Sequence, residues 1–239
     1  MNEQQLKTTE TFDEIQDRYT QMVNEAVSFS GLNVDFFTKV KANYLLWLAR
    51  RALGKTKNLT VLDIGCGVGN FHPLLRPHVR KLDGVDVSAD SLKTAAAANP
   101  EVRYQVYDGT TLPYEDGQFD LVFAICVMHH VPPENWAGFA GQMLRVLRPG
   151  GMGVVFEHNP LNPLTMRTVN NCPFDEDAVL LKRSQLTGLF REAGFDAITS
   201  RFILSVPPAG KMLFGLDRAF SLLPFGAQYY VSGRKPGVD

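Results

Sequence analysis

Between residues 59 and 158 the chain alternates short aliphatic runs with stretches whose apolar positions recur every three or four residues. The runs LTVLDIG, KLDGVDV, VRYQVYD, FDLVFAIC and GMGVVFEH are continuously apolar, without a polar face, and predict five buried strands of a parallel sheet covered on both sides. The stretches between them predict the covering helices. Ser88 is placed to cap one of these, with Asp90 in its first turn. Trp136, Phe139, Met143 and Leu147 stripe another before the RPGG stop, and Ser184 to Gly194 reads as a third.

The flanks have a different rhythm. Thr11 and Glu14 form a capping box ahead of Phe12, Ile15, Tyr19, Met22, Val23 and Ala26 at helical spacing. After the loop SFSGLN, Phe37, Val40, Tyr44 and Leu48 mark a second helix that runs to Gly54, suited to a left-handed cap, and SFSGLNVDFF has the composition that a mobile lid would need. At the other end, ITSRFILSV and AQYYVSGRK predict a closing pair of strands around a helical insert. The expected fold is α/β, a doubly wound Rossmann-like sheet, mostly parallel with an antiparallel final strand, plus an N-terminal helical extension. The expected division is a helical cap or lid over 1–54 and one compact unit over 55–239, with the insert at 206–226.

Composition narrows the functions. In 239 residues, 24 Lys and Arg nearly balance 25 Asp and Glu, so no basic field draws nucleic acid, and no nucleic-acid partner is expected. The polar start and the lack of a run of ~20 apolar residues lead to the expectation of a cytoplasmic protein. Met212, Leu213, Phe214, Leu216, Phe220, Leu222, Leu223 and Phe225 make the insert apolar; membrane contact is weighed there, and core packing carries the greater weight. Cys66, Cys126 and Cys172 lack the spacing of a disulfide framework or zinc site, and the five histidines form no HxxxH pair, so no metal is expected.

The chemistry begins at VLDIGCGVGN, where Gly65, Gly67 and Gly69 follow the first strand. Glycines there permit unusual backbone angles and close ligand approach. Asn70 stands where a dinucleotide fingerprint requires its third glycine, which breaks the pyrophosphate-binding pattern and weakens the competing reading of an NAD-dependent oxidoreductase. Asp86 ends the second predicted strand, where a carboxylate can accept both hydroxyls of an unphosphorylated ribose. Taken singly, the glycine loop is equally well a tight turn, and Asp86 is more readily a helix-initiating acid.

Together, VLDIGCGVGN, the aspartate of LDGVDVS and the aspartate of VYDGTTLPYEDGQFDLV resemble the motifs of class I S-adenosylmethionine-dependent methyltransferases, over about residues 59–157. The resemblance implies S-adenosyl-L-methionine as cofactor and S-adenosyl-L-homocysteine as product. Gly65, Cys66, Gly67 and Gly69 would embrace the methionine portion and Asp63 its amino group, Asp86 and Val87 would meet the ribose, and Asp108, Gly109 and Thr110 the adenine, with Cys126 and Tyr19 alongside. It equally admits a non-catalytic binding or scaffold protein of the same fold.

Methyl transfer from a sulfonium is an in-line displacement, so orienting an acceptor and excluding water are the main requirements. A hydroxyl acceptor adds the need for a base, for which His130 is favoured narrowly over His129, with His158 as runner-up. Each histidine could instead pack or cap the helix start at Pro132 and Pro133. Phe37, Lys41, Glu157, Asn159 and Asn162 are the candidate acceptor contacts, although Asn-Pro pairs also simply make turns. The expected partner is a small molecule, lipid-linked or apolar in the loosest resemblance, methylated on oxygen.

Overall fold

A computed structural model describes residues 32–172, 175–208 and 210–237. The helix expected over 11–26, with Tyr19, lies outside the described residues. The first described helix, α1 (Val34–Leu53), starts where the Asn33 side chain accepts the Phe36 N–H at 2.9 Å. It ends at Gly54, whose φ is positive at 82° but whose ψ of −128° lies outside the left-handed helical well expected from its sequence position. Then follow β1 (Thr60–Ile64), a single turn α2 (His72–Leu75), β2 (Lys81–Asp86), α3 (Ala89–Ala98), β3 (Arg103–Val106), β4 (Phe119–Ile125), α4 (Trp136–Val146) and β5 (Leu147–His158). The chain closes with α5 (Pro163–Asn170), α6 (Arg183–Ala193), β6 (Asp196–Ile203), α7 (Gly210–Ala219) and β7 (Gln228–Arg234). Ser88 caps α3 as its position suggests, accepting the Ser91 N–H at 3.0 Å.

The seven strands form one sheet in the order β3-β2-β1-β4-β5-β7-β6, parallel except that β7 runs antiparallel to both its neighbours. This is the expected doubly wound sheet with its reversed last strand. Its apolar runs are continuous because both faces are covered. Leu121 and Phe123 of β4 pack with α1 residues Leu45 and Ala49 on one side, while Val122 and Ala124 pack with Phe139 and Met143 of α4 on the other. Strand β3 departs from the expectation of burial. It is an edge strand paired only to β2, and Val106 is 53% exposed.

The insert around α7 also departs from expectation. Met212, Leu216, Phe220, Leu222, Leu223 and Phe225 are exposed rather than core. One helix face suffices to hold α7: Phe214 packs 4.5 Å from the Tyr44 ring, Arg218 lies over Trp47, and Asp217 is fully buried. That carboxylate accepts the Tyr44 hydroxyl at 2.6 Å and the backbone N–H groups of Leu204, Ser205 and Val206. No described helix is long and apolar enough to cross a membrane.

Candidate active site

The strand order reverses between β1 and β4, and a cavity of about 630 Å³ opens there, beyond the C-terminal strand ends. At one end its wall is the turn after β1, then Asp86, Val87, Tyr107 and Gly109. At the other end it is the first turns of α1, the segment after β4, His158, Asp175, Leu204 and Gln228.

The three glycines of the β1 turn all have positive φ, but for different reasons. A Cβ on Gly65 would lie 2.6 Å from Val127, so the turn after β4 is seated directly against it. A Cβ on Gly67 would meet nothing within 4 Å, leaving its backbone open to the cavity, and its N–H is held by Asp86 Oδ2 at 2.8 Å. Gly69 is not on the cavity wall. A side chain there would crowd Asn99, His72 and Tyr104, so this glycine serves packing rather than the ligand contact expected of it. Cys66 reaches the wall and packs closely on Gly84, where a Cβ would lie 2.8 Å from its sulfur.

Asp86 is half-buried at the wall, each oxygen accepting one backbone N–H, Oδ2 from Gly67 and Oδ1 from Ser88 at 3.0 Å. Burial raises its pKa above the usual carboxylate range, although the backbone N–H groups of Ser88, Gly67 and Val87 pull the other way. A carboxylate offers about four acceptor positions, more than the Gly67 and Ser88 N–H groups occupy. Asp63 also reaches the wall but is buried, its pKa likewise raised by desolvation. His72 Nε2 lies 3.1 Å from Asp63 Oδ2, and His72 Nδ1 lies 2.6 Å from the Tyr104 hydroxyl. Asp108 is exposed and off the wall, with Oδ1 accepting the N–H groups of Thr110 and Thr111 at 2.8 and 2.7 Å. These bonds hold its pKa low and shape the turn that presents Gly109 to the cavity; Thr110 does not reach it.

At the other end, His129, His130 and His158 all reach the wall. Glu157 lies behind them. Its Oε1 accepts the N–H groups of Val127 and Met128 at 3.1 and 2.8 Å, and its Oε2 is 2.6 Å from His129 Nδ1. Burial works against a charge on His129, but the Glu157 and Asp175 carboxylates override it and hold its pKa well above the ordinary histidine value. His130 moves the opposite way, to about 3, through burial and the neighbouring His129 charge. Burial disfavours a Cys126 thiolate, yet Lys41, with Nζ 3.6 Å from the sulfur, and His158 bring the thiol down to about 7. His158 is raised in turn; burial opposes its charge and Cys126 favours it. Cys126 also has a positive φ of 57°, a conformation that turns the chain from β4 into the histidine segment.

The cavity thus brings together Asp63, Gly65, Cys66, Gly67, Asp86, Val87, Gly109, Cys126, Phe37, Lys41 and the three histidines. It leaves Gly69, Asp108, Thr110, Glu157, Asn159 and Asn162 off its wall. The two asparagines are internally employed. Asn159 Nδ2 donates to the carbonyls of Pro224 and Gly226, while Asn162 Oδ1 caps α5 and its Nδ2 donates to the Phe225 carbonyl. Sequence reasoning missed Tyr107, Asp175, Leu204 and Gln228. Gln228 reaches the wall because it pairs in register with His158, and its Nε2 lies 3.6 Å from Cys126 Sγ.

Residues 61–151 match the family profile of a methyltransferase domain. A 2-methyl-6-phytyl-1,4-hydroquinone methyltransferase from Synechocystis is 35% identical over 104 residues, 42% of this chain, and the match spans about a third (32%) of that relative's length. Among solved structures, a SAM-dependent methyltransferase from Thermotoga maritima superposes with a TM-score of 0.68 at 17% identity, covering 95% of this chain and 99% of that one. A [4+2]-cyclase superposes with a TM-score of 0.59 at 20% identity, covering 82% of each chain, so the same architecture also serves another chemistry.

Proposed function

We propose that this chain, which carries a methyltransferase domain on the class I fold, transfers a methyl group from S-adenosylmethionine to a small molecule, at oxygen. The observation that carries this reading is the single cavity joining two unlike ends, one built of backbone and a diol-accepting carboxylate, the other of histidines and apolar side chains.

The glycine end fits the cofactor. Gly67 leaves open backbone beside Asp86, and neither Asp86 oxygen is saturated. Asp86 and Val87 would hold the ribose, Tyr107 and Gly109 would border the base, and Asp63 with the Gly65–Gly67 backbone would hold the amino acid portion. When bound, the cofactor supplies an electrophilic methyl group on sulfur. The residues of this chain then have three tasks: aligning the acceptor, excluding water, and taking a proton.

Phe37, Val131, Leu164 and Leu204 line the acceptor end and suit an acceptor with an apolar body. Among the histidines, His129 is held charged between carboxylates and His130 is held neutral with too low a pKa for an efficient base at pH 7. The Cys126–His158 pair, at the wall beside Gln228, shares one proton between thiol and imidazole and so keeps one basic site, which makes the pair the better-placed proton acceptor. This reverses the order expected from sequence, in which His130 came first.

The test is equilibrium binding of S-adenosylmethionine, S-adenosylhomocysteine and NAD(H), followed by a screen of phenol and alcohol acceptors with labelled methyl. Micromolar binding of the sulfur compounds, about −8 kcal/mol, with label transfer to oxygen is the expected result. NAD(H) binding in their place would overturn the reading, and sulfur-compound binding with no transfer to any acceptor would leave a binding or scaffold role.

A further inference from the structure

The segment after α5 brings Asp175 against the histidine turn, where Val179 N–H donates to the His129 carbonyl at 2.8 Å. His129 Nε2 is 3.4 Å from Asp175 Oδ1 and His130 Nε2 is 3.6 Å from the same oxygen. The three ligand atoms lie within 4.8 Å of one another, and all three residues reach the cavity. Sequence spacing gives no hint of this set, because Asp175 comes from a distant segment.

Three features distinguish the cluster from an ordinary ion pair. First, the separations exceed the roughly 2.7–2.9 Å of a charge-assisted hydrogen bond. They match instead the edge of about 3.4 Å between neighbouring ligands of a tetrahedral cation with bonds near 2.0–2.2 Å. Second, His129 is oriented from behind. Glu157 Oε2 engages Nδ1 at 2.6 Å, which fixes the tautomer and aims Nε2 at Asp175, the arrangement that carboxylates give to metal-binding histidines. Third, Glu157 is buried and Asp175 nearly so, with side chains 1% and 11% exposed. A single proton on His129 balances one of these two charges, whereas a dication balances both.

We propose that His129 Nε2, His130 Nε2 and Asp175 Oδ1 bind a divalent transition cation of the zinc class, leaving its fourth position open to the cavity for an oxygen of the acceptor. Two imidazoles and a carboxylate favour such an ion over magnesium or calcium, which take oxygen ligands. The cation-binding part stands on the geometry alone; the acceptor part rests on the function proposed above.

Cobalt(II) titrated into the chelator-stripped protein is the first probe. The expected result is one equivalent bound, with the intense visible bands of a four- or five-coordinate ion, displaced by zinc. Asp175→Ala is expected to weaken binding more than 100-fold and Glu157→Gln by about 10- to 100-fold, both with S-adenosylmethionine affinity retained. A zinc-dependent rise in the melting temperature of the wild type, absent in Asp175→Ala, is the second readout and needs no acceptor. Stripped wild type that binds S-adenosylmethionine yet shows neither cobalt bands nor a zinc-dependent shift would overturn the cation site and leave Asp175 as an ion-pair partner of His129. Loss of S-adenosylmethionine binding by the metal-loaded wild type would instead sink the function proposed above while leaving the cation site standing.

Discussion

The two ends of the cavity are made by different means. The glycine end comes from turns that directly follow β1, β2 and β3; Ser88 N–H on Asp86 and Thr110 and Thr111 N–H on Asp108 act within two or three residues, and Gly67 N–H joins the first turn to Asp86 at the end of the neighbouring strand. The histidine end is assembled from segments far apart in the chain: Lys41 from α1, Cys126 to His130 after β4, His158 at the end of β5, Asp175 beyond α5 and Gln228 from β7. A local end can be read as a motif, whereas at a non-local end single residues can be named from sequence but their grouping, with Asp175 and Gln228, becomes visible only once sheet order and register bring its members together.

The two ends should respond differently to substitution. The largest expected effect is at Asp86. Asp86→Ala strips the acceptor from two backbone N–H groups and from the ribose, and should weaken S-adenosylmethionine at least 100-fold, about 3 kcal/mol, by calorimetric titration. If affinity is unchanged, the glycine end does not hold the nucleoside.

Next come the glycines, which separate ligand contact from packing. Gly67→Ala projects a methyl into open cavity and should lower cofactor affinity about tenfold, with about 1–2 kcal/mol of backbone strain. Gly69→Ala crowds His72 and Tyr104 and should cost about 2 kcal/mol of stability with a smaller change in affinity. Chemical denaturation and titration on both variants check the split, and identical behaviour of the two would erase it.

At the histidine end, His158→Gln should reduce methyl transfer to oxygen about 100-fold while leaving the cofactor dissociation constant within a factor of about two. A parallel loss of cofactor binding would mean that the ends are not separable. The smallest effect is a titration. Because the Cys126 pKa is lowered, the thiolate predominates above pH 7 and is lost below it, so alkylation by iodoacetamide should rise with a midpoint near 7. Lys41→Met removes the nearby ammonium and should move the midpoint upward. An unshifted midpoint would show that Lys41 does not govern the thiol.

What was legible follows the same division. The strands, their order of appearance and Asp86 were readable because apolar runs and turn residues act over a few positions. Gly69 was readable as a glycine but not for its reason, since His72 and Tyr104 meet it only after β2 and β3 pair. Asn159 and Asn162 looked like ligand contacts because their neighbours are polar. Their amides instead serve carbonyls of the segment before β7, which sequence proximity cannot indicate. His130 was favoured only narrowly over His129 in sequence, and the two are nearly opposite in the fold, because Glu157 Oε2 engages His129 directly. The burial expected of VRYQVYD failed for want of a second neighbouring strand, and the exposed face of α7 was unreadable because Asp217, Phe214 and Arg218 hold the helix from its other side.

Asp217 gathers a hydroxyl from α1 and three backbone N–H groups from the stretch at the cavity rim, all on the inner side of α7. The outward residues Met212, Leu216 and Phe220 take no part in it. The outer face of α7 and the shape of the cavity are therefore set by different side chains, the inner ones being Asp217, Phe214 and Arg218.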